Sequence, residues 1–323
     1  MPDRELLERA AAALADADEV ALACHVGPDG DALGSMLGLA IAASNAGKEV
    51  VASFGSPFVV PPSLSFLPAE LLVAPQHFPE SPELMVVLDV GSPDRIGELA
   101  ASAGKAGTVL VVDHHVTNEG FGDIALVDPM AGATAELVYH ILEILGWKIT
   151  PEIALCLHAG IVTDTGRFMY QNTSPSTLRI GAALVEAGAD PGTISRHVYE
   201  QVPFGFLKAA SLALGRATLD EDLGVVATSI TDDDLQSSGI DWVDIENLID
   251  WLRLAVEADT AVLAKVHDDG RVKVSMRSRG DTDVGGLAAS MGGGGHRLAA
   301  GFTVEDDPER VIEAVLGSVR DYR

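Results

Sequence analysis

Three apolar runs in the N-terminal half end in side chains that can ligate a metal. Glu19-Val20-Ala21-Leu22-Ala23-Cys24 leads into His25-Val26-Gly27-Pro28-Asp29-Gly30-Asp31, Met85-Val86-Val87-Leu88 ends at Asp89, and Val109-Leu110-Val111-Val112 ends at Asp113-His114-His115. A lone Asp-Gly-Asp is ordinary turn chemistry, and one Asp after an apolar run can simply cap a helix. Acids and imidazoles ending three such runs are harder to explain that way. If the runs are strands of one parallel sheet, all three sets fall at its carboxyl edge, where ligands bind in such sheets. A carboxylate cluster of this kind repels itself unless cations neutralise it. Asp164, within Gly160-Ile161-Val162-Thr163-Asp164-Thr165-Gly166, supplies enough donors for two ions. Mixed carboxylate and imidazole donors suit Mn²⁺, Mg²⁺ or a similar first-row ion rather than a closed thiolate zinc site. Two such ions about 3.5–4 Å apart can clamp an in-line displacement at phosphorus.

The elements that must position these residues follow from periodicity. Strands are predicted at residues 19–25, 49–54, 84–89 and 108–113, with helical segments between or after them. The first helix spans about residues 32–46 and is closed by Gly47. Strands alternating with helices imply an α/β fold, a doubly wound parallel sheet covered on both faces. Helices are also expected at about 133–145, from Pro151 to about 163, and from Ser174-Pro175 to about 187, where Ser174 or Thr173 can cap and Pro175 suits the first turn. A helical stretch over about 192–214 connects to a second half with strands at 224–230, 261–267 and 272–278, interrupted by a helix over about 242–255. The resulting division is residues 1–190, a helical linker at 191–217, and residues 218–323 forming a smaller α/β domain.

Composition narrows the function classes. The 323 residues carry 21 Lys and Arg against 48 Asp and Glu, a net charge of −27, and 47% of them are hydrophobic. An apolar fraction of that size excludes a disordered chain, and two cysteines, Cys24 and Cys156, exclude a disulfide scaffold. No basic stripe is visible of the kind that proteins coating long nucleic acid use. Neither a signal peptide nor a membrane span is legible, so a cytoplasmic protein is expected. Cys24 alternates away from His25 along its strand and reads as a packed thiol. His140 and His158 fall inside predicted helices and read as packing or surface residues. Arg95 and Arg167 follow ligand-bearing segments and are weaker candidates for phosphate contact.

His25-Val26-Gly27-Pro28-Asp29-Gly30-Asp31-Ala32, Asp89, Asp113-His114-His115 and Asp164 resemble, in order, the four motifs of the DHH phosphoesterase superfamily. In the C-terminal half, Val274-Ser275-Met276-Arg277-Ser278 and Gly292-Gly293-Gly294-Gly295-His296-Arg297-Leu298-Ala299-Ala300-Gly301-Phe302 resemble the DHHA1 domain of the nano-RNase, pAp-phosphatase and cyclic-di-AMP phosphodiesterase branch. The resemblance covers nearly the whole chain and departs from the motifs at none of these positions. It implies two Mn²⁺ ions, with Mg²⁺ or Co²⁺ as alternatives. His25 and Asp29 would hold one ion, Asp31, His114 and Asp164 the other, and Asp89 would bridge them. His115 would face the substrate phosphate, and Asp113 would orient a histidine. The attacking group in such a site is a water, so no Ser or Cys nucleophile is required.

Consecutive glycines let a backbone approach a ligand closely and turn its N–H groups onto phosphate oxygens. The resemblance accordingly places the nucleotide at Arg277, the loop Gly293-Gly294-Gly295 and His296, with Arg279 and Arg297 as weaker candidates. It implies hydrolysis of short oligoribonucleotides, dinucleotides such as pApA, cyclic di-AMP, and 3′-phosphoadenosine 5′-phosphate (pAp), by a homodimer without long nucleic acid or membrane as partner. Manganese-dependent inorganic pyrophosphatase is an alternative, although the glycine run argues against it. A non-catalytic nucleotide sensor is another, although no ligand position is lost.

Overall fold

The computed structural model describes residues 3–118 and 120–323, with the backbone but not the side chain of His296. The chain divides between Gln201 and Val202 into two compact units.

In the first unit the strands are β1 (Glu19–Cys24), β2 (Glu49–Phe54), β3 (Leu84–Leu88), β4 (Thr108–Asp113) and β5 (Ile124–Val127), and the helices are α1 (Arg4–Asp16), α2 (Gly30–Asn45), α3 (Ala100–Ala103), α4 (Thr134–Leu145), α5 (Pro151–Asp164), α6 (Pro175–Glu186) and α7 (Pro191–Ser195). All five strands are parallel, in the order β2-β1-β3-β4-β5. β3 is buried at every position, which is why its sequence is continuously apolar rather than alternating. The strand order reverses between β1 and β3, so the crevice beyond their carboxyl ends is the fold's natural binding position.

The two faces of this sheet are unequally covered. Val20, Leu22, Cys24, Val86, Leu88 and Val112 pack with residues of α1, α2, α4 and α5 in the larger core. Ala21, Ala23, Met85, Val87 and Val111 point the other way, onto Phe78, Ile96 and Leu99. The helical segment expected between β2 and β3 is replaced by two 3₁₀ turns, Pro62–Leu64 and Pro75–His77. Prolines at 57, 61, 62, 68, 75, 79 and 82 explain this, because each removes a backbone donor that a helix needs.

α2 and α5 pack closely. A Cβ built on Gly34 would stand 3.0 Å from the Gly160 nitrogen and nearer still to the Cys156 carbonyl, and one on Gly160 would lie 2.8 Å from Asp31 Oδ1. Gly30, Gly34 and Gly38 recur every four residues and so share one helix face. Their missing side chains let the two backbones approach.

The second unit contains α8 (Phe204–Gly215), β6 (Thr218–Asp220), β7 (Val225–Thr231), α9 (Asp232–Ser238), α10 (Leu248–Leu252), β8 (Thr260–Val266), β9 (Arg271–Ser278), α11 (Val284–Ser290), β10 (Gly294–His296), β11 (Ala299–Glu305) and α12 (Pro308–Ser318). Its six-stranded sheet has the order β10-β11-β9-β8-β7-β6 and is antiparallel except between β7 and β8. Val262, Ala264, Val272, Val274, Met276, Ala300 and Phe302 form one core with α11 and α12. Val226, Ile230, Ala261 and Leu263 form another with α8, α9 and α10.

Two expected helices are broken. The stretch over 192–214 is α7, a π turn at Arg196–Glu200, and α8, interrupted at Gln201–Pro203. Pro203 lacks the donor, and its ring disfavours helical geometry at Val202. The stretch over 242–255 is a 3₁₀ turn, Trp242–Ile245, followed by the single-turn α10.

Candidate metal centre

Each potential ligand is placed by an element end. β1 delivers His25 directly. Asp29 is the N-cap of α2, and its Oδ1 accepts from Asp31 N and Ala32 N, both at 3.0 Å. Asp31, one residue inside the helix, is buried. Its Oδ2 accepts from Thr134 N at 2.6 Å and its Oδ1 from Ala135 N at 3.0 Å, the first turn of α4, where free N–H groups and the helix dipole favour an anion. Asp89 follows β3 with a φ of 58°, a left-handed backbone that is costly without glycine and is found where surroundings fix a functional side chain. Its N–H still bonds Val112 O at 3.0 Å, extending the ladder to β4. His114 and His115 follow β4, and Asp164 ends α5.

These residues converge. His25 Nε2 lies 3.8 Å from Asp29 Oδ2 and 3.6 Å from Asp89 Oδ2. His114 Nε2 lies 3.9 Å from Asp31 Oδ2, 3.7 Å from Asp89 Oδ1 and 3.5 Å from Asp164 Oδ2. Such separations are too long for good hydrogen bonds. They suit a shared cation, because two donors each about 2.1 Å from one ion stand at most about 4.2 Å apart. Three overlapping donor groups result among the described residues, His25-Asp29-Asp89, Asp31-His114-Asp164 and Asp89-His114-His115, with Asp89 between His25 and His114. The chemistry of the set fits divalent cations: four carboxylates and two imidazoles within a small, largely buried volume.

Electrostatics make the same point. Burial, joined by the charges of Asp89, Asp164 and Asp29, pushes the Asp31 carboxyl well above its ordinary value. Burial also raises Asp164 to about 6. At His25 burial opposes protonation, but Asp29 and Asp89 override it and the pKa rises to about 10. Without cations the cluster therefore retains protons. A fold that raises His25 from 6.5 to about 10 gains stability that is full below the lower value and is lost as pH rises toward the upper one. In chelator, the melting temperature should thus fall between about pH 7 and 9, while saturating Mn²⁺, which displaces the proton, should flatten or reverse the fall. Calorimetry across that range checks this, and a level profile in chelator would contradict it.

Asp113 stands behind the cluster. Its Oδ1 is 2.6 Å from His115 Nδ1, and its Oδ2 accepts from Asn118 Nδ2 at 2.7 Å. The hydrogen bond from Asp113 is the main cause of the raised His115 pKa. Asp113 itself is lowered, because His115 and Asn118 together overcome the upward push of burial.

Several supporting residues escaped sequence reasoning. Thr134 Oγ1 donates to Asp89 Oδ1 at 2.9 Å. Asn172 Nδ2 donates to Gly132 O, Asp164 O and Asp164 Oδ2 at 2.9, 3.2 and 3.3 Å. Buried Glu136 accepts from Gly132 N and Thr177 Oγ1, which fixes the turn whose Ala131 carbonyl meets His114 Nδ1 at 3.3 Å. Only Thr134 left a signal, as the first residues of a helix whose N–H groups must find acceptors.

Other candidates lie apart. Cys24 is buried in the core, where burial raises its thiol. His158 packs near Phe168, with its pKa lowered by burial to about 4, and His140 pairs with Glu143. Arg95 is exposed and Arg167 lies 4.6 Å over the Tyr199 ring. In the second unit Arg277 is half-buried on β9 and its Nη1 donates to Met276 O. Arg279 and Arg297 bond the Arg253 and Gly280 carbonyls. The expected glycine loop is in part the edge strand β10, antiparallel to β11. A Cβ on Gly295 would stand 2.6 Å from the Ala299 carbonyl, so close strand pairing itself calls for glycine there. The His296 side chain lies outside the described residues.

Comparison with known proteins agrees with this geometry. Residues 19–161 match the DHH family, N-terminal domain, and residues 222–322 match the DHHA1 domain. The chain is 33% identical over 305 residues to the bifunctional oligoribonuclease and PAP phosphatase NrnA of Thermus thermophilus, covering 93% of this chain and 89% of that protein. It is 29% identical to NrnA of Bacillus subtilis, covering 91% and 93%. The crystal structure of an exopolyphosphatase-related protein from Bacteroides fragilis superposes with a TM-score of 0.92 at 24% identity, covering 100% of this chain and 97% of that one. With the ligand-bearing strand ends, the buried carboxylate cluster and both domain matches in place, the chain belongs to the DHH phosphoesterases with a C-terminal DHHA1 domain.

Proposed function

We propose that the protein is a Mn²⁺-dependent phosphoesterase that hydrolyses short oligoribonucleotides and dinucleotides such as pApA to mononucleotides, and pAp to AMP. The observation that carries this is the pair of donor groups facing Asp89, at the switch point of a parallel sheet. His25, Asp29 and Asp89 would hold one ion, and Asp31, Asp89, His114 and Asp164 the other. Bound there, two divalent cations would activate water and neutralise charge developing at phosphorus.

The chain's own residues have separable tasks. The α4 N-terminus orients Asp31 through two backbone N–H groups, and Thr134 fixes Asp89. Asp113 anchors His115 at Nδ1, so that the imidazole can act on the substrate phosphate through its other nitrogen. Arg277, Gly293, Gly294, Gly295 and His296 would bind the nucleotide, with recognition assigned to residues 218–323, catalysis to residues 1–190 and the connection to residues 191–217. The two NrnA relatives, named for oligoribonuclease and PAP phosphatase activities, support this substrate range. The net charge of −27 argues against long nucleic acid. A cytoplasmic homodimer completes the proposal.

The test supplies purified protein and Mn²⁺ with pApA, cyclic di-AMP, pAp and pyrophosphate separately. AMP release from pApA and pAp, abolished by chelator, is the expected result. Turnover of pyrophosphate alone would replace the reading with a pyrophosphatase, and no turnover with metal bound would leave a nucleotide sensor.

A further inference from the structure

β9 is a central strand whose two faces differ. Val272, Val274 and Met276 point into the core beneath α11 and α12. The alternate residues, Lys273, Ser275 and Arg277, are exposed or half-buried. Strand register places Ala299, Gly301 and Thr303 of β11 beside Arg277, Ser275 and Lys273, and Ala261, Leu263 and Lys265 of β8 on their other side. The helices on this face cover Ala261 and Leu263; no β9 or β11 residue belongs to that core. Lys273, Ser275 and Arg277 are therefore bordered by small side chains on the β11 side.

The charge on this face opposes that of the whole molecule. Lys265, Lys273 and Arg277 are near enough for the latter two to disfavour the charge on Lys265, which is already lowered chiefly by burial. Lys265 Nζ is held by Glu246 at 2.8 Å. Lys273 has no ion pair or hydrogen bond among the described residues. The Glu246 carboxylate is engaged by Lys265, and Asp269 and Glu305 lie at the far end, beside Arg271. Lys273 and Arg277 on one face of β9, in a chain with 48 acids and 21 bases, create a local field that attracts polyanions.

We propose that this face of β9, from Arg277 through Ser275 to Lys273, is a track for the phosphodiester backbone of an oligoribonucleotide beyond the nucleotide held at Arg277. It rests on the nucleotide-phosphoesterase reading and deepens it. Arg277 and Lys273 are four residues apart, about 13 Å along an extended strand, so one phosphate does not fill the track. Ser275 lies between them as a hydrogen-bonding group without charge, and Gly301 beside it keeps the surface open to a backbone lying along the strand. The track makes affinity depend on chain length, whereas pAp, with one nucleoside, reaches only its start.

The test is equilibrium binding by fluorescence anisotropy in chelator, where no hydrolysis occurs, comparing a 5′-phosphorylated pentaribonucleotide with pAp. The wild type should bind the pentanucleotide more tightly. Lys273→Gln should reduce the ratio of the two affinities roughly fivefold, the scale of one exposed ion pair, and Lys273→Arg should restore it. The salt dependence of pentanucleotide binding should become shallower by about 0.7 in log–log slope, the loss of one phosphate contact on a single strand. An unchanged ratio in Lys273→Gln overturns the track, as does a wild type that binds both ligands alike or neither. Release of AMP from pAp with Mn²⁺ reports separately on the underlying phosphoesterase reading.

Discussion

Asp89→Asn should abolish turnover while making the metal-free protein more resistant to heat at alkaline pH, where His25 is neutral. Asp89 is the carboxylate that faces both donor groups, at 3.6 Å from His25 Nε2 and 3.7 Å from His114 Nε2. Asparagine keeps the shape and an oxygen to accept the Thr134 hydroxyl, so the fold should survive. It removes the charge that would draw two cations together. Losing several kcal/mol of charge stabilisation at phosphorus corresponds to about a 10³-fold or greater fall in rate, and Mn²⁺ affinity measured calorimetrically should fall with it. In chelator the sign reverses. The Asp89 charge is among the forces that raise Asp31 and Asp164, and toward pH 10, where His25 gives up the proton that Asp89 helps it hold, its removal relieves repulsion that the imidazolium no longer offsets. Each kcal/mol relieved should raise the melting temperature by about 2–4 °C in a unit of this size. A variant that keeps wild-type Mn²⁺ affinity, or melts lower than wild type in chelator at that alkaline pH, would show that Asp89 does not hold this position.

The second large effect comes from a residue that touches no ligand. Gly34→Ala would drive a methyl group into the Cys156 carbonyl and to within 3.0 Å of the Gly160 nitrogen. Both are helix backbone and cannot step aside as a side chain can. Overpacking of this kind costs about 1–3 kcal/mol. Because Asp31 lies on α2 and Asp164 ends α5, separating the helices also separates two donors that both face His114 Nε2, so Mn²⁺ affinity should drop together with stability. Gly38→Ala is the control. Its Cβ meets Leu157 Cδ2 at 2.8 Å, the end of a flexible side chain, and should cost less in both measurements. Equal losses in the two variants would refute the close-approach argument.

The sequence is most readable where local rules suffice. β1, β3 and β4 are continuous apolar runs whose ends coincide with acids and histidines, so the meeting of His25, Asp89 and His114 follows once the sheet is parallel. Ser174 and Pro175 mark the start of α6 for the same local reason, and Ser174 accepts from Thr177 N there. What was not legible depends on distant partners. Thr134 reaches Asp89, and Asn172 reaches Asp164 and Gly132, across turns whose paths no periodicity specifies. β5 is only four residues long, too short for its alternation to stand out from the surrounding turns. Glycine has two readings here: Gly294 and Gly295 suggest a loop, yet both pair with β11, and at Gly295 that pairing leaves no room for a side chain. The proline-rich stretch between β2 and β3 carries its signal openly, since each proline removes a donor that a helix needs, and strand-helix alternation alone does not register it.

The scatter of the metal ligands along the chain bears on how the protein is made. Donors come from the ends of β1, β3 and β4 and from the last residue of α5, so neither ion's set is complete on any short segment. During synthesis His25 emerges long before Asp164, and an early fragment holds acids and imidazoles with no geometry to bind a cation well. Once α5 has emerged, however, every donor is present, while all of β9 is still to be translated. Domains generally fold as units, N-terminal first. On the proposed function, the first unit would then acquire its ions on the ribosome before the surface assigned to the nucleotide exists, so that capture of metal and recognition of substrate would enter the protein's life at different times.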